Sequence, residues 1–280
     1  MDLTIVIVSF KSGDILHRCI KSIDKRYPIL VIENSIDNKL KLELEEKYQN
    51  VNCILPKDNL GYGGGNNLGL SRVKTNYALI LNPDVILKKD SIENFFKSAN
   101  KNPEFGIIAP VSLNEKYTNF NHDKDIDVKE VENVKGFAMF FNMKNLEKSN
   151  FFDENFFLYL EEMDLCKRVR LMNIKIFIDP FIKVEHFGGT SHESKINKPM
   201  ELSRNWHWMW STFYFEKKHN GYLNALIKIF PKFFSSLFKF IFYLIVFKKD
   251  KSDIYKHRLL GIINSVLLKK SWYRPSLNNE

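Results

Sequence analysis

Cysteine is scarce in this chain. Cys19, Cys53 and Cys166 are the only three in 280 residues. Odd in number and far apart, they form neither a disulfide framework nor a metal-type spacing, which fits a reducing cytoplasm. Long uninterrupted apolar runs are also missing. The opening MDLTIVIVSF has no positively charged lead and no small-residue cleavage site, and it is too short to cross a bilayer. It reads as a buried strand. No Gly-Lys-Ser/Thr follows the one Gly-rich stretch, so there is no Walker loop. No GxGxxG follows the first strand, which argues against a nicotinamide dinucleotide site. There is no internal repeat.

Lys and Arg number 42 against 33 Asp and Glu, a formal net charge of +9. A basic balance points to an anionic partner: nucleic acid, a phosphate-rich substrate or an acidic membrane surface. Solubility alone is the plain alternative. The cations are not gathered into one aromatic-interleaved platform, so a nucleic-acid partner is not expected.

The first ~110 residues alternate short β-branched runs with helical stretches, the pattern of a mostly parallel sheet with crossover helices. Strands are expected at Leu3–Ser9, Ile29–Glu33, Val51–Leu55, Tyr77–Leu81 and Phe105–Pro110, and helices at Asp14–Asp24 and Asn38–Tyr48. A Gly-rich turn at Gly61–Gly65 leads into a further helix. Asn114–Asp127 reads as a solvent loop. Val134–Asn142, Ile174–Ile178 and Ile182–His186 read as strands, and Leu160–Met172 and Pro199–Gly221 as helices. The composition changes after Gly221. The stretch LNALIKIFPKFFSSLFKFIFYLIVFKKDK is broadly apolar, but three lysines make it a poor membrane span. On a helix Lys228, Lys232 and Lys239 fall within roughly 40° of one another, on one stripe with Asn224 and Ser235. Pro231 is expected to break or restart that helix. A narrow basic stripe suits the headgroup boundary of a membrane, and a helix packed on the catalytic domain is the alternative. We therefore expect a catalytic domain over 1–220 and amphipathic, basic helices over 221–280.

In open α/β sheets ligands bind at the carboxyl ends of strands, and polar groups collect there. Ser9-Phe10-Lys11 follows the first strand and Glu33-Asn34-Ser35 the second. A carboxylate at Glu33 can accept the imide N–H of a uracil or thymine base; an ordinary solvated turn is the competing reading. Asn59-Leu60-Gly61-Tyr62-Gly63-Gly64-Gly65-Asn66-Asn67 is more specific, since glycines admit a close backbone approach and a helix N-terminus favours an anion. Asn82-Pro83-Asp84 ends the next strand, where a carboxylate can hold a hard divalent cation that binds a diphosphate. A plain Asn-Pro-Asp turn is the alternative. Glu161, Glu162 and Asp164 open a helix, where acids also serve as caps, and Asp164 and Arg168 are spaced as an ion pair. His186 ends a short strand ahead of Gly188-Gly189-Thr190-Ser191.

Taken in order, these segments resemble glycosyltransferase family 2, the inverting enzymes of GT-A fold, and most closely its rhamnosyltransferase-like branch. The likeness rests on Ser9-Phe10-Lys11-Ser12, Val31–Ser35, Asn59–Asn67, Leu81-Asn82-Pro83-Asp84, Gly136, FFLYLEEMDLCKR and His186-x-x-Gly189-x-Ser191. It covers about Leu3 to Gly221. It implies a Rossmann-like α/β domain that moves a sugar from a pyrimidine nucleotide, dTDP-L-rhamnose ahead of UDP-hexoses. The implied acceptor is a glycan or lipid-linked glycan, in surface polysaccharide synthesis. The implied donor site is Ser9, Phe10, Glu33, Asn34, Asn59, Gly61, Gly65, Asn66 and Asn82. Asp84 would take the metal, Mg2+ or Mn2+, with His186 as a further ligand. Glu162 stands in the place of the catalytic base, with Asp164 second. Asn82, Glu33 and Glu162 depart from the pattern: Asn82 replaces the first acid of the metal motif, Glu33 stands where an Asp usually meets the pyrimidine, and Glu162 replaces the Asp of the base. A relic that binds without catalysing is the reading the Asn82 and Glu162 departures would favour. A sugar nucleotidyltransferase is disfavoured, because no Gly-rich, cationic triphosphate loop follows Ser9. The implied location is the cytoplasm, with peripheral contact at the inner face of the membrane.

Overall fold

The computed structural model describes residues 2–114, 127–188 and 197–275. Most of the expected loop at Asn114–Asp127, and Gly189, Thr190 and Ser191, lie outside the described residues. Contacts divide the chain into two compact units, Met1–Asp153 with Glu162–Glu193, and Glu154–Glu161 with Ser194–Glu280.

The first unit is built on one sheet. Its strands are β1 (Leu3–Ser9), β2 (Ile29–Glu33), β3 (Val51–Ile54), β4 (Tyr77–Leu81), β5 (Val85–Leu87), β6 (Phe105–Ser112), β7 (Lys129–Glu130), β8 (Ala138–Asn142) and β9 (Lys175–His186), in the order β3-β2-β1-β4-β8-β6-β9-β5, with β7 paired to β9. The half that runs β3-β2-β1-β4 is parallel. Beyond β4 the sheet is mixed, because β8 enters antiparallel between β4 and β6 while β6 and β9 run parallel. The expected mostly parallel sheet is present: β1, β2, β3, β4, β6 and β9 run one way, and only β5, β7 and β8 run against them. Of these, β8 is covered on both faces and reads in sequence as a continuous apolar run, as a parallel strand would. The two short strands expected at Ile174–Ile178 and Ile182–His186 are one bulged strand, β9, whose register against β6 shifts between Pro110 and Val111.

Helices α1 (Gly13–Lys21), α2 (Asn38–Lys47), α3 (Gly61–Leu70) and α4 (Ser91–Lys101) connect the first strands. Asp37 caps α2, its carboxylate accepting from Leu40 N at 3.1 Å. The short α5 (Met143–Leu146) and a 3-10 turn (Glu147–Ser149) precede α6 (Glu161–Leu171). Leu3, Ile5, Ile7, Leu79 and Phe140 are fully buried in the core. Phe140 stacks against Tyr77, Phe95 and Phe105.

The second unit is helical, with α7 (Asn197–Asn220), α8 (Tyr222–Ile245) and α9 (Lys249–Val266). Met209 and Phe213 of α7 pack with Ala225 and Ile229 of α8 and Ile262 of α9. A Cβ at Gly261 would stand 2.3 Å from the carbonyl oxygen of Trp206, so this glycine lets α9 lie directly on α7. The expected boundary at 220/221 thus falls inside this unit, because α7 shares its apolar core with the helices that follow. Pro231 neither breaks nor restarts α8. It lies on the helix exterior, within one continuous element, and costs a single N–H donor.

Candidate active site

The carboxyl ends of β1, β2 and β4, the start of β8 and the end of β9 meet at one edge of the sheet, and the polar residues sit there. Register sets their neighbours: Ser9 lies opposite Glu33, Leu81 opposite Ala138, and Val85 opposite His186.

Glu33 is fully buried. Its Oε1 accepts from Ser35 N at 2.9 Å and from the Ser35 hydroxyl, while its Oε2 has no partner. A buried carboxylate oxygen without a donor is costly unless a ligand supplies one. Ser9 Oγ, beside it, is also buried and unpartnered. Phe10 is partly exposed, with its N–H on Ser12 Oγ at 3.3 Å. Asn34 staples the Gly-rich segment to the end of β2: its Nδ2 donates to Gly61 O at 2.9 Å, and its Oδ1 accepts from Leu60 N at 3.4 Å. Asn59 Oδ1 accepts from Gly61 N at 3.0 Å. Gly61 takes φ +72, a conformation that favours glycine.

The Gly61–Gly65 segment is not a turn. It is the first turn and more of α3. Gly65 contacts no opening, since a Cβ there would lie 2.9 Å from Val8 Cγ1 and 3.3 Å from Asn34 Nδ2. The glycines bring a helix hard against β1, and Gly65 shapes the site through that approach and not as a bare backbone cradle. Asn66 is buried, its Nδ2 donating to Tyr62 O at 3.0 Å and its Oδ1 left unpartnered.

Asn82, at the end of β4, is partly exposed and bonds through its backbone to Phe137 O at 2.8 Å. Asp84 is buried. Its Oδ1 has no hydrogen bond and faces His186 Nε2 at 3.5 Å. The His186 ring stacks on Phe137 with centroids 4.6 Å apart. A buried, underused carboxylate oxygen next to an imidazole is a donor pair that fits a divalent cation. Among the described residues no three His, Cys, Asp or Glu side chains gather as a metal cage. This pair would therefore need further ligands from bound phosphate or water.

Glu162, in the first turn of α6, stands beside Gly136 and Tyr62. A Cβ on Gly136 would be 3.0 Å from Tyr62 Oη and 3.6 Å from Glu162 Cβ, and Tyr62 donates its hydroxyl to the carbonyl of Gly136. Part of Glu162 remains open to solvent, yet desolvation holds its carboxyl above the ordinary glutamate range, against the pull of its own and Met163's N–H. Tyr159 and Leu160, leading into α6, both take left-handed φ values of 71 and 68. Consecutive non-glycine residues in that region store strain of about 1–3 kcal/mol each, a cost met most often at functional sites.

Asp164 is differently occupied. Fully buried, it accepts from Arg168 Nε at 2.7 Å, and the same guanidinium donates to the carbonyls of Ser149 and Phe151. The turn it holds includes Asn150 and Phe151 at φ 55 and 50. Asn67 grips the same segment, exchanging hydrogen bonds with Phe152 O (2.9 Å) and Phe152 N (3.1 Å). Sequence reasoning missed Tyr62, Asn67 and the carbonyl partners of Arg168. The first two lie within the Gly-rich motif, whose glycines drew the attention.

A model of the family described as "Glycosyl transferase family 2" matches residues 4–180. The chain belongs to glycosyl transferase family 2. Within that family it is 27% identical over 198 residues to the low-salt glycan biosynthesis hexosyltransferase Agl10 of Haloferax volcanii, covering 62% of this chain and 64% of that protein. It is 24% identical over 245 residues to the rhamnosyltransferase WbbL of Escherichia coli K12, covering 75% of this chain and 90% of that one. Among solved structures it is similar to the mannosyltransferase PcManGT from Pyrobaculum calidifontis in complex with GDP-Man and Mn2+. That match has a TM-score of 0.61 at 10% identity and covers 96% of this chain and 88% of the other. The fold of this family 2 member is accordingly that of the GT-A glycosyltransferases.

Proposed function

We propose that this family 2 protein is an inverting glycosyltransferase. It would carry a sugar from a pyrimidine nucleotide, dTDP-L-rhamnose first and UDP-hexoses second, to a hydroxyl of a glycan or lipid-linked glycan. One observation carries the reading: the buried Glu33 with an unfilled oxygen, the Asp84–His186 pair and the desolvated Glu162 occupy one sheet edge. Glu33 Oε2 suits the imide N–H of uracil or thymine, and Asn34, Asn59 and Gly61 shape the wall beside it. Ser9, Phe10, Asn66 and Asn82 complete the donor set. Asp84, with His186, would hold Mg2+ or Mn2+. When bound, such an ion offsets the charge that develops on the leaving diphosphate.

Glu162 accepts the proton of the acceptor hydroxyl as that oxygen bonds to the anomeric carbon. The bond from that carbon to the diphosphate oxygen breaks, and the nucleoside diphosphate leaves with the electron pair. A single displacement inverts the centre. Elevated proton affinity suits Glu162 to this task, and it favours a working base over a binding relic. Asp164, committed to Arg168, is better fitted to position the loop before α6 than to take a proton. The rhamnosyl preference draws support from the likeness to the Escherichia coli protein; the guanine donor of the Pyrobaculum structure is the reason to test GDP-sugars alongside.

We place the protein in the cytoplasm, at a membrane surface, with its acceptor membrane-proximal; no helix of the described residues is long and apolar enough to cross. A thermal-shift screen with dTDP-, UDP- and GDP-sugars and Mn2+ tests the donor assignment. Stabilisation by the pyrimidine nucleotides is expected, and stabilisation by GDP alone would overturn it.

A further inference from the structure

Helix α8 is packed on one side only. Ala225, Ile229 and Ser236 are buried against its neighbours. At about 100° per residue, Leu223, Ile227, Phe230, Phe234, Phe238 and Ile241 fall within about 80° of one another. These six side chains are 48% to 74% exposed. A contiguous apolar face of this length is far beyond the scattered leucines of an ordinary surface. Going round the helix from it, Asn224 and Ser235 come next, then Lys228, Lys232 and Lys239, then the packed side. At the end of α8, Phe247 is 94% exposed and is followed at once by Lys248 and Lys249.

Charge decides what can cover this face. From Lys217 to Lys249 the chain has seven lysines and no Asp or Glu. Lys228 pairs with Glu216 at 2.8 Å and Lys239 lies over the Tyr255 ring at 5.3 Å, while Lys232 is simply exposed. A second copy laid antiparallel, face to face, would set lysine flank against lysine flank, and one laid parallel would set it against the apolar flank of Leu226, Phe233 and Leu237; in neither case is there an acid on α8 to answer the lysines. An anionic lipid surface answers all of them, and the long lysine stems let the ammonium groups reach the headgroup layer while the phenylalanines enter the acyl boundary.

We infer that α8 lies in the plane of an anionic bilayer. Its Leu223–Ile241 face and Phe247 would be inserted, and its lysine flank would rest on phosphate headgroups. This rests on the membrane-proximal placement proposed above and adds which surface docks and which lipid it selects.

The test is co-sedimentation of the full chain with vesicles of phosphatidylcholine alone, and of phosphatidylcholine with an equal share of phosphatidylglycerol. The wild type should pellet with the anionic vesicles and stay largely in solution with the neutral ones. The exposed double variant F234S/F238S, and separately K232E/K239E, should each weaken that binding at least tenfold while donor binding stays unchanged. If the wild type ignores anionic vesicles, the membrane placement itself fails. If it binds and both variants bind equally well, the α8 face is wrong. A dimer by light scattering without lipid, dissociated by F234S/F238S, would assign the face to a second copy and overturn the proposal.

Discussion

Replacing Gly65 with alanine probes the geometry on which the proposed donor site depends. The new Cβ would stand 2.9 Å from Val8 Cγ1, 3.0 Å from Val8 Cγ2 and 3.3 Å from Asn34 Nδ2. Ordinary contact begins at 3.4 Å, so the nearest methyl is 0.5 Å too close (3.4 − 2.9). Val8 cannot retreat, because β1 is held by β2 on one side and β4 on the other. The helix α3 must therefore tilt, carrying Gly61 and Leu60 away from Asn34. Overpacking of this kind costs about 1–3 kcal/mol, and the better helix propensity of alanine returns about 1 kcal/mol. A net loss of about 0–2 kcal/mol corresponds to a fall in Tm of up to about 8 °C. The larger signal is functional: donor KM should rise about tenfold, or about 1.4 kcal/mol, with kcat less affected. Val8→Ala in the same background removes both offending methyls and should restore KM. Initial rates against donor concentration for the two single variants and the double variant are the assay. A Gly65→Ala enzyme with wild-type KM and Tm would refute the close-approach argument, and so would a defect that Val8→Ala leaves untouched.

Three other outcomes are expected. Glu162→Gln should lower kcat by about 10²–10⁴ with nucleotide binding intact, and near-normal turnover would eliminate Glu162 as the base. Because its carboxyl titrates above the unfolded value of 4.5, the folded chain holds that proton longer, and the stability this contributes is lost as pH rises past 4.5. The glutamine variant should thus be no less stable than wild type at neutral pH, read by thermal melts. Arg168→Leu releases the carbonyls of Ser149 and Phe151 and leaves Asp164 a buried, uncompensated acid, a change worth about 3–5 kcal/mol; Asp164→Asn in the same background should recover part of that stability in urea melts, and a variant as stable as wild type would dispose of the clamp. His207 is buried, its pKa pushed down to about 3 by burial, with the Tyr273 carbonyl opposing. Below 6.5 the unfolded chain takes up a proton that the folded one refuses, so stability should fall by about 2 kcal/mol between pH 7 and pH 5. His207→Gln should flatten that slope in denaturant titrations, and an equal slope in both proteins would count against the burial argument.

The parallel strands and their polar ends were legible because β1, β2 and β4 are short apolar runs that each stop at a polar residue, Ser9, Glu33 and Asn82. Ser9, Glu33, Asn82 and Asp84 could be named from that pattern and lie together at one sheet edge. The antiparallel β8 was not distinguishable, since burial on both faces removes the alternation that would mark it. Nor was β5, three residues long, or the bulge that joins two apparent strands into β9. The glycines of α3 look like a turn in sequence, and the close approaches of Gly65 to Val8 and of Gly69 to Val6 reveal them as a packing surface. Asp164 reads as a second candidate base until Arg168 and its two carbonyls are seen. Membership of α7 in the helical unit depends on Met209 and Phe213 meeting Ile229 and Ile262, contacts between residues well separated in the chain.

The most direct test of the account is calorimetric titration of dTDP and UDP into the protein, with and without Mn2+, for the wild type and for Asp84→Ala. Binding of a pyrimidine nucleotide that requires Mn2+ and disappears in Asp84→Ala is the predicted result. Binding of equal strength without the metal, or unchanged in the variant, would contradict it.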